Sequence, residues 1–316
     1  MTNLKSVFFI VGPTATGKSD IAADVARELH AEVVSADAFQ IYRGFDLLTA
    51  KPDATTLVKV PHHLIGTVPI SEDMNAEKFR NLAIQAISEI HSRGKPVIVA
   101  GGSGLYIKAL THGLSVVPSA DPDLRAQLNE LSLVDLQEKL SALDPATSVD
   151  LKNRRRLMRA IEICLLSGQR ASQQRAGWEE DVSIHGAFVF RDRDDLYRRI
   201  NDRVERMFDA GVVEEVRGAG AHLRQGYGGQ AMSETASKMI GLREIRELLN
   251  GPAAAGSTAL CVAAIQQATR RYAKRQLTWF RRQTNFQPLN LSVLSHVEVV
   301  ERISQFAKNV GSRAGE

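Results

Sequence analysis

Val7-Phe8-Phe9-Ile10-Val11 has no polar position in five residues, so it predicts a short strand covered on both faces. The run breaks at Gly12-Pro13, after which Ile21, Val25 and Leu29 recur at a spacing of four, the apolar stripe of a helix. Val33-Val34-Ser35-Ala36-Asp37 reads as a second strand. Between 76 and 93 the helical period returns through Phe79, Leu82, Ala83, Ala86, Ile87 and Ile90, and Gly94-Lys95-Pro96 ends it. Val97-Ile98-Val99-Ala100 is a third apolar run, closed by Gly101-Gly102. Strands and helices alternating through short glycine turns predict an α/β fold on a doubly wound, mostly parallel sheet.

The pattern changes near residue 118. Residues 124–143 and 155–166 are helical in period, and no strand signal returns until Ala187-Phe188-Val189-Phe190. The chain therefore divides into an α/β core over 1–117, a helical insertion domain over 118–184, and a return to the core with C-terminal basic helices over 185–316. In the last part, residues 194–210 carry Leu196, Ile200, Val204 and Met207 on one stripe, and a further helix covers 265–282. Arg224-Gln225-Gly226-Tyr227-Gly228-Gly229-Gln230 has no periodicity and reads as a surface loop insert.

Composition narrows the class. Of 316 residues, 44% are apolar and 24% charged, which fits a globular protein of about two domains and excludes wholesale disorder. The first apolar run is too short for a leader or a membrane span. Two cysteines, Cys164 and Cys261, make no disulfide framework, so a cytoplasmic protein is expected. Net charge is only +4, yet the cations are not evenly spread. Lys152, Arg154, Arg155, Arg156 and Arg159 form one acid-free cluster, and Arg270, Arg271, Lys274, Arg275, Arg281 and Arg282 form another. Two such clusters favour a polyanion partner over two solvated helix faces.

Gly12-Pro13-Thr14-Ala15-Thr16-Gly17-Lys18-Ser19 fits G-x-x-x-x-G-K-S/T between a buried strand and a helix. Backbone N–H groups there converge on phosphate oxygens, Lys18 neutralises the terminal phosphate and the Ser19 hydroxyl holds Mg²⁺. These eight positions are the expected diphosphate- or nucleotide-binding residues. A typical ATPase ends a later core strand with an acid, but the strand at 97–100 ends in glycines. The nearest acid is Asp37. Ligands in open α/β sheets sit beyond the carboxyl ends of the strands, so residues 12–19, Asp37 and 101–104 should share one crevice. There Asp37 is either a metal ligand or a general base; a purely structural Asp37 would simply cap a turn.

Several blocks carry a family resemblance: the phosphate loop, Ser35-Ala36-Asp37-Ala38-Phe39-Gln40-Ile41-Tyr42-Arg43, Thr49-Ala50-Lys51-Pro52 and Pro61-His62-His63-Leu64-Ile65. Further along come Gly101-Gly102-Ser103-Gly104-Leu105-Tyr106, Arg156-Leu157-Met158-Arg159-Ala160-Ile161-Glu162, Leu196-Tyr197-Arg198-Arg199-Ile200-Asn201 and the stretch from Thr269 to Arg281. Together they resemble the bacterial tRNA dimethylallyltransferases. The resemblance implies a P-loop NTPase-like core and transfer of a dimethylallyl group from dimethylallyl diphosphate, with Mg²⁺. The acceptor would be the exocyclic amine of the adenosine immediately 3′ of the anticodon. It implies Asp37 as catalytic base, Ser103 as a hydroxyl reaching the leaving group's bridging oxygen, and Lys18 as its electrostatic partner. It also implies that Asp37, Ala38, Phe39, Gln40 and Ser103 hold the flipped adenosine, with Gln40 reading its edge. Arg155, Arg156, Leu157, Met158 and Arg159, with Arg125, would hold the anticodon stem-loop of the tRNA. A monomer without membrane attachment is expected.

Two departures stand out: Gly66 occupies the acid position of the family's H-H-L-I-D, and Leu242 the aromatic position of I-G-Y-x-E. His62-His63 invites a metal reading but lacks further ligands at usable spacing. A P-loop small-molecule kinase explains residues 10–40 but not the arginine clusters. A nucleotide-regulated RNA-binding protein explains the clusters but leaves Asp37 and Ser103 idle.

Overall fold

The computed structural model describes residues 7–115, 117–174, 184–225, 231–251 and 257–313. Six parallel strands form one sheet in the order β3-β2-β4-β1-β5-β6: β1 Val7–Val11, β2 Glu32–Ser35, β3 His62–His63, β4 Val97–Gly101, β5 His185–Phe190 and β6 Gln287–Asn290. Strand β1 lies between β4 and β5, and its residues alternate between two cores. Val7, Phe9 and Val11 pack on one face of the sheet, Phe8 and Ile10 on the other. That division explains the unbroken apolar run, because a strand with a core on each face has no solvent side. Fully buried side chains such as Phe9 and Ile10 each contribute about 1.5–3 kcal/mol relative to exposure.

The helices are α1 Lys18–Glu28, α2 Ala54–Leu57, α3 Ala76–Ser92, α4 Gly104–His112, α5 Pro122–Glu130, α6 Leu133–Leu143 and α7 Arg154–Ser167, then α8 Ala171–Gln174, α9 Arg193–Asp209, α10 Val212–Gln225, α11 Leu242–Asn250, α12 Ser257–Phe280 and α13 His296–Arg313. The face of Phe8 and Ile10 is covered from α1 and α13, and the opposite face from α3, α4 and α9 to α12. Among the described residues, no helix is long and apolar enough to cross a membrane.

Several elements differ from the sequence expectation. The helix expected over 124–143 is two helices: α5 ends before Leu131, and Ser132 starts α6 with a capping box to Asp135. Strand β2 ends at Ser35, so Ala36 and Asp37 are already loop. The segment expected as a loop over 224–230 begins in helix, since α10 runs through Gln225; residues 226–230 lie outside the described residues. Strands β3 and β6 carried no recognised hydrophobic signal.

The chain forms two compact units, one of Met1–Thr111 with Ser183–Glu316 and one of His112–Val182. The smaller unit is helical around Leu128, Leu136, Leu140, Leu157 and Ile161. Leu157 and Met158, expected at an RNA surface, belong to this core, because the face of α7 they occupy is its apolar stripe. Arg125 and Arg159 also have structural partners. Glu162 is fully buried and accepts from Arg125 through both carboxylate oxygens, at 2.7 and 2.8 Å. Arg159 adds a contact to Glu162 at 3.3 Å and donates to the Pro118 carbonyl at 2.6 Å. Arg154 donates to the carbonyls of Leu128, Asn129 and Leu131, which closes the end of α5. Of this cluster Lys152, Arg155 and Arg156 remain exposed. An Arg125→Ala change should therefore cost about 3 kcal/mol in chemical denaturation, because a buried carboxylate loses its bidentate partner and keeps only Arg159. Unchanged stability with weakened RNA binding would instead make Arg125 a surface contact.

Candidate active site

The loops after β1, β2, β4 and β5 meet beyond the carboxyl ends of the strands. Gly12 N–H donates to the Gly101 carbonyl at 3.2 Å, and Ser103 N–H to the Ala36 carbonyl at 3.3 Å. This approach requires glycine: a Cβ at Gly101 would collide with the Ala36 carbonyl, and one at Gly102 with Gln276 and the Gly12 carbonyl. Gly17 ends the phosphate loop with φ +93°, and α1 then starts at Lys18 without a side-chain cap. Its first N–H groups are thus left to an anion.

The loop is held from outside by residues much later in the chain. Gln276 of α12 accepts from Thr14 N–H at 2.9 Å and donates to the Gly102 carbonyl at 2.8 Å, joining the β1 and β4 loops. Arg191 donates to the Thr16 carbonyl at 2.9 Å, and Arg199 to the Ala15 carbonyl at 3.0 Å. Arg203, one turn beyond Arg199 on α9, donates to Thr14 Oγ1 at 2.9 Å. Its Nε is closed off from solvent and has no partner among the described residues. Burial pushes the Arg203 guanidinium down to about 10, opposed by the nearby Asp37 carboxylate. Burial likewise lowers Lys18, again opposed by Asp37. The loop is thus an electropositive pocket whose cations are costly to keep charged until an anion arrives.

Asp37 stands at the centre. Its Oδ1 accepts from Phe39 N–H at 2.9 Å and Gln40 N–H at 3.2 Å, which fixes the carboxylate in a turn and leaves Oδ2 available for chemistry. Asp37 is the shared wall of two clefts. The larger also presents Thr14, Arg203, Met239, Ile265 and Tyr272. The smaller presents Lys18, Ser19, Ser35, Gln40 and His62. Ser103 Oγ accepts from Ala38 N–H at 3.0 Å and also meets the Tyr272 hydroxyl, whose acidity is reduced by burial. Gln40 has its Nε2 committed to the carbonyls of Ala50, at 2.8 Å, and Thr49, so only its Oε1 can read a ligand. Phe39 borders the larger cleft.

The smaller cleft offers oxygen donors, from Ser19, Ser35 and Asp37. No group of three or more His, Cys, Asp or Glu able to hold a metal occurs among the described residues. That donor set fits Mg²⁺, which takes few protein ligands and completes its shell with waters and substrate phosphates. It does not fit a closed zinc site.

The departures from the expected motifs have local explanations. A Cβ at Gly66 would lie 3.3 Å from Lys51 Nζ, so an acid there would meet the ammonium directly. Here Lys51 is satisfied by Asp46 at 2.6 Å and by the carbonyls of Tyr42 and Gly44. Leu242 starts α11 and is buried in the core. The basic helix α12 serves two roles: Ile265, Thr269, Ala273, Gln276 and Phe280 are buried, while Arg271, Lys274 and Arg275 are exposed. Gln276, Arg191 and Arg203 were not recognised from the sequence. The available hint was Arg199 and Arg203 at a spacing of four beside the apolar stripe of α9.

A parallel sheet with a phosphate loop after its first strand, walled by arginines and facing a lone carboxylate, defines a P-loop-type enzyme of phosphorylated substrates. The chain belongs to the IPP transferase family, whose model matches residues 40–283. It is 40% identical over 301 residues to tRNA dimethylallyltransferase 1 of Citrifermentans bemidjiense, covering 92% of this chain and 95% of that one. The full-length tRNA isopentenylpyrophosphate transferase of Bacillus halodurans superposes with a TM-score of 0.69 at 31% identity, over 98% and 99% of the two chains. A eukaryotic dimethylallyltransferase acting on tRNA has the same fold, with a TM-score of 0.81 at 24% identity over 97% of this chain and 79% of that one.

Proposed function

We infer that this protein transfers a dimethylallyl group from dimethylallyl diphosphate to the exocyclic amine of the adenosine immediately 3′ of the tRNA anticodon, releasing diphosphate. The observation that carries the reading at the level of mechanism is Asp37 as the common wall of two clefts, one containing Lys18 and Ser19 and the other combining Arg203, Thr14 and Tyr272 with apolar side chains such as Met239 and Ile265. A transferase needs this arrangement, with adjoining seats for the leaving group and the acceptor base on either side of the carboxylate that takes the proton.

In this mechanism the diphosphate rests on the N–H groups at residues 12–19, against Lys18 and Arg203. Mg²⁺, with Ser19 as a ligand, would supply further neutralisation of the leaving group. As the allylic C–O bond breaks, its electron pair goes to diphosphate, where negative charge grows opposite Lys18 and Arg203. Ser103 accepts from Ala38 N–H and can direct its own proton to the bridging oxygen. The adenine amine forms the new N–C bond and gives a proton to Asp37 Oδ2. A base is needed because the amine's lone pair is delocalised into the ring. Extruding the adenosine costs a few kcal/mol, which contacts to the RNA backbone offset. Arg155 and Arg156 are exposed cations suited to such contacts.

The direct test combines the protein, unmodified total tRNA, Mg²⁺ and labelled dimethylallyl diphosphate in ATP-free buffer. Label should appear on one adenosine next to the anticodon. A strict need for ATP, with phosphate released in step with product, would favour a kinase and overturn the assignment. Arg155→Ala and Arg156→Ala should each weaken tRNA binding and lower the log–log salt slope by about 0.7–0.9 per lost phosphate contact. If affinity and slope are unchanged in both, these arginines do not contact the RNA.

A further inference from the structure

The histidine pair is the chemistry-bearing motif that the reaction above leaves unused. Strand β3 consists of these two residues, paired in parallel with Val33 and Val34, and strand alternation sends the rings to opposite faces. His63 Nε2 lies 2.7 Å from Glu32 Oε2, and Arg93 binds the same carboxylate at 2.7 Å. That group is closed on itself. His62 points the other way, into the cleft of Lys18, Ser19, Ser35 and Asp37, which Val33 also lines.

The tautomer of His62 follows from its neighbours. Nδ1 is 2.8 Å from the Val60 carbonyl, and a carbonyl only accepts, so Nδ1 carries the hydrogen. Nε2 is shut off from solvent and has no partner among the described residues. Burial lowers the basicity of this ring, which keeps it neutral and leaves a lone pair on Nε2. A buried acceptor without a donor is costly, so a ligand in this cleft should supply one. An ionised diphosphate brings acceptors only. A magnesium ion brings polarised waters, which are strong donors, and ions of this kind keep several of them.

We propose that His62 Nε2 accepts a hydrogen bond from a water of the hydrated magnesium ion that accompanies the diphosphate, so that His62 positions the ion at Ser19 without touching it. The proposal rests on the functional reading above, and it makes His62 a positioning residue. Inorganic diphosphate is the probe, titrated calorimetrically with and without Mg²⁺ into the wild type and into His62→Gln, His62→Phe and His62→Leu. The Gln side chain returns an acceptor oxygen, whereas Phe and Leu fill the space without one. The magnesium concentration for half-maximal diphosphate binding should rise about tenfold in His62→Phe and His62→Leu and stay near wild type in His62→Gln. In chelator, all four should bind diphosphate equally. Equal magnesium requirements in all four would overturn the proposal. So would a loss of affinity that is the same with and without Mg²⁺, which would make His62 an anion ligand or a packing residue. Uptake of a proton by wild type alone on binding Mg²⁺-diphosphate would show an imidazolium donor, which also overturns it. Failure of the wild type to bind Mg²⁺-diphosphate at all would remove the functional reading, and this inference with it.

Discussion

Asp37→Asn should fold and bind tRNA as wild type does, yet transfer the prenyl group at least ~10²-fold more slowly. The substitution is informative because the two carboxylate oxygens have separate duties. Oδ1 accepts from Phe39 and Gln40 N–H, and the amide oxygen of asparagine can take over both bonds. The turn is then preserved, and an NH₂ group stands where Oδ2 was. That group cannot receive the proton of the adenine amine. Single-turnover transfer should therefore fall while the tRNA dissociation constant stays put, and the melting temperature should drop only modestly as Lys18 and Arg203 lose a counter-charge. Near-normal turnover would exclude Asp37 as the base and leave it as a turn residue.

Arg203→Met should separate stability from function in the opposite sense. The guanidinium is buried beside Lys18, Arg199 and Arg206, with Nε unpaired and one described hydrogen bond, to Thr14. An apolar side chain of similar length removes both the desolvation cost of this charge and its repulsion by Arg199 and Arg206. A rise in melting temperature of a few degrees is expected. The same change should lower kcat/KM for the prenyl donor by about 10²-fold or more, because Arg203 faces charge that grows as the C–O bond breaks. Diphosphate should also protect the variant less against heat than it protects wild type. A variant that is less stable but fully active would mean that Arg203 serves the packing of α9 alone.

What could be read from the sequence follows the range of the interactions. Strands β1 and β4 were legible because apolar residues on both faces leave a continuous run. Strand β3 was not, since two histidines carry no hydrophobic pattern, and neither was β6, where Gln287-Pro288-Leu289-Asn290 looks like a loop. The latter is an edge strand, a place where proline is tolerated. The break between α5 and α6 had a signal, Ser132-x-x-Asp135, that hydrophobic period alone passes over. For the phosphate loop, motif and context are local, so its course could be anticipated. Its outer support could not, because Gln276 reaches Thr14 across 262 residues and Arg203 reaches it across 189. The arginine cluster at 154–159 was visible as charge, but charge does not disclose a partner. Buried Glu162 takes up Arg125 and Arg159, and the apolar stripe of α7 takes up Leu157 and Met158.

That long reach has a consequence for how the protein is made. The phosphate motif leaves the ribosome well over a hundred residues ahead of Arg191, Arg199 and Arg203, and further still ahead of Gln276. Until then the loop lacks the side chains that fix its carbonyls and tie it to Gly102. A ribosome-bound chain ending before residue 276 should therefore hold diphosphate poorly, even with β1, β2, β4 and α1 complete. Donor binding should thus report on synthesis through Gln276, and chains stalled before it should sequester little prenyl diphosphate.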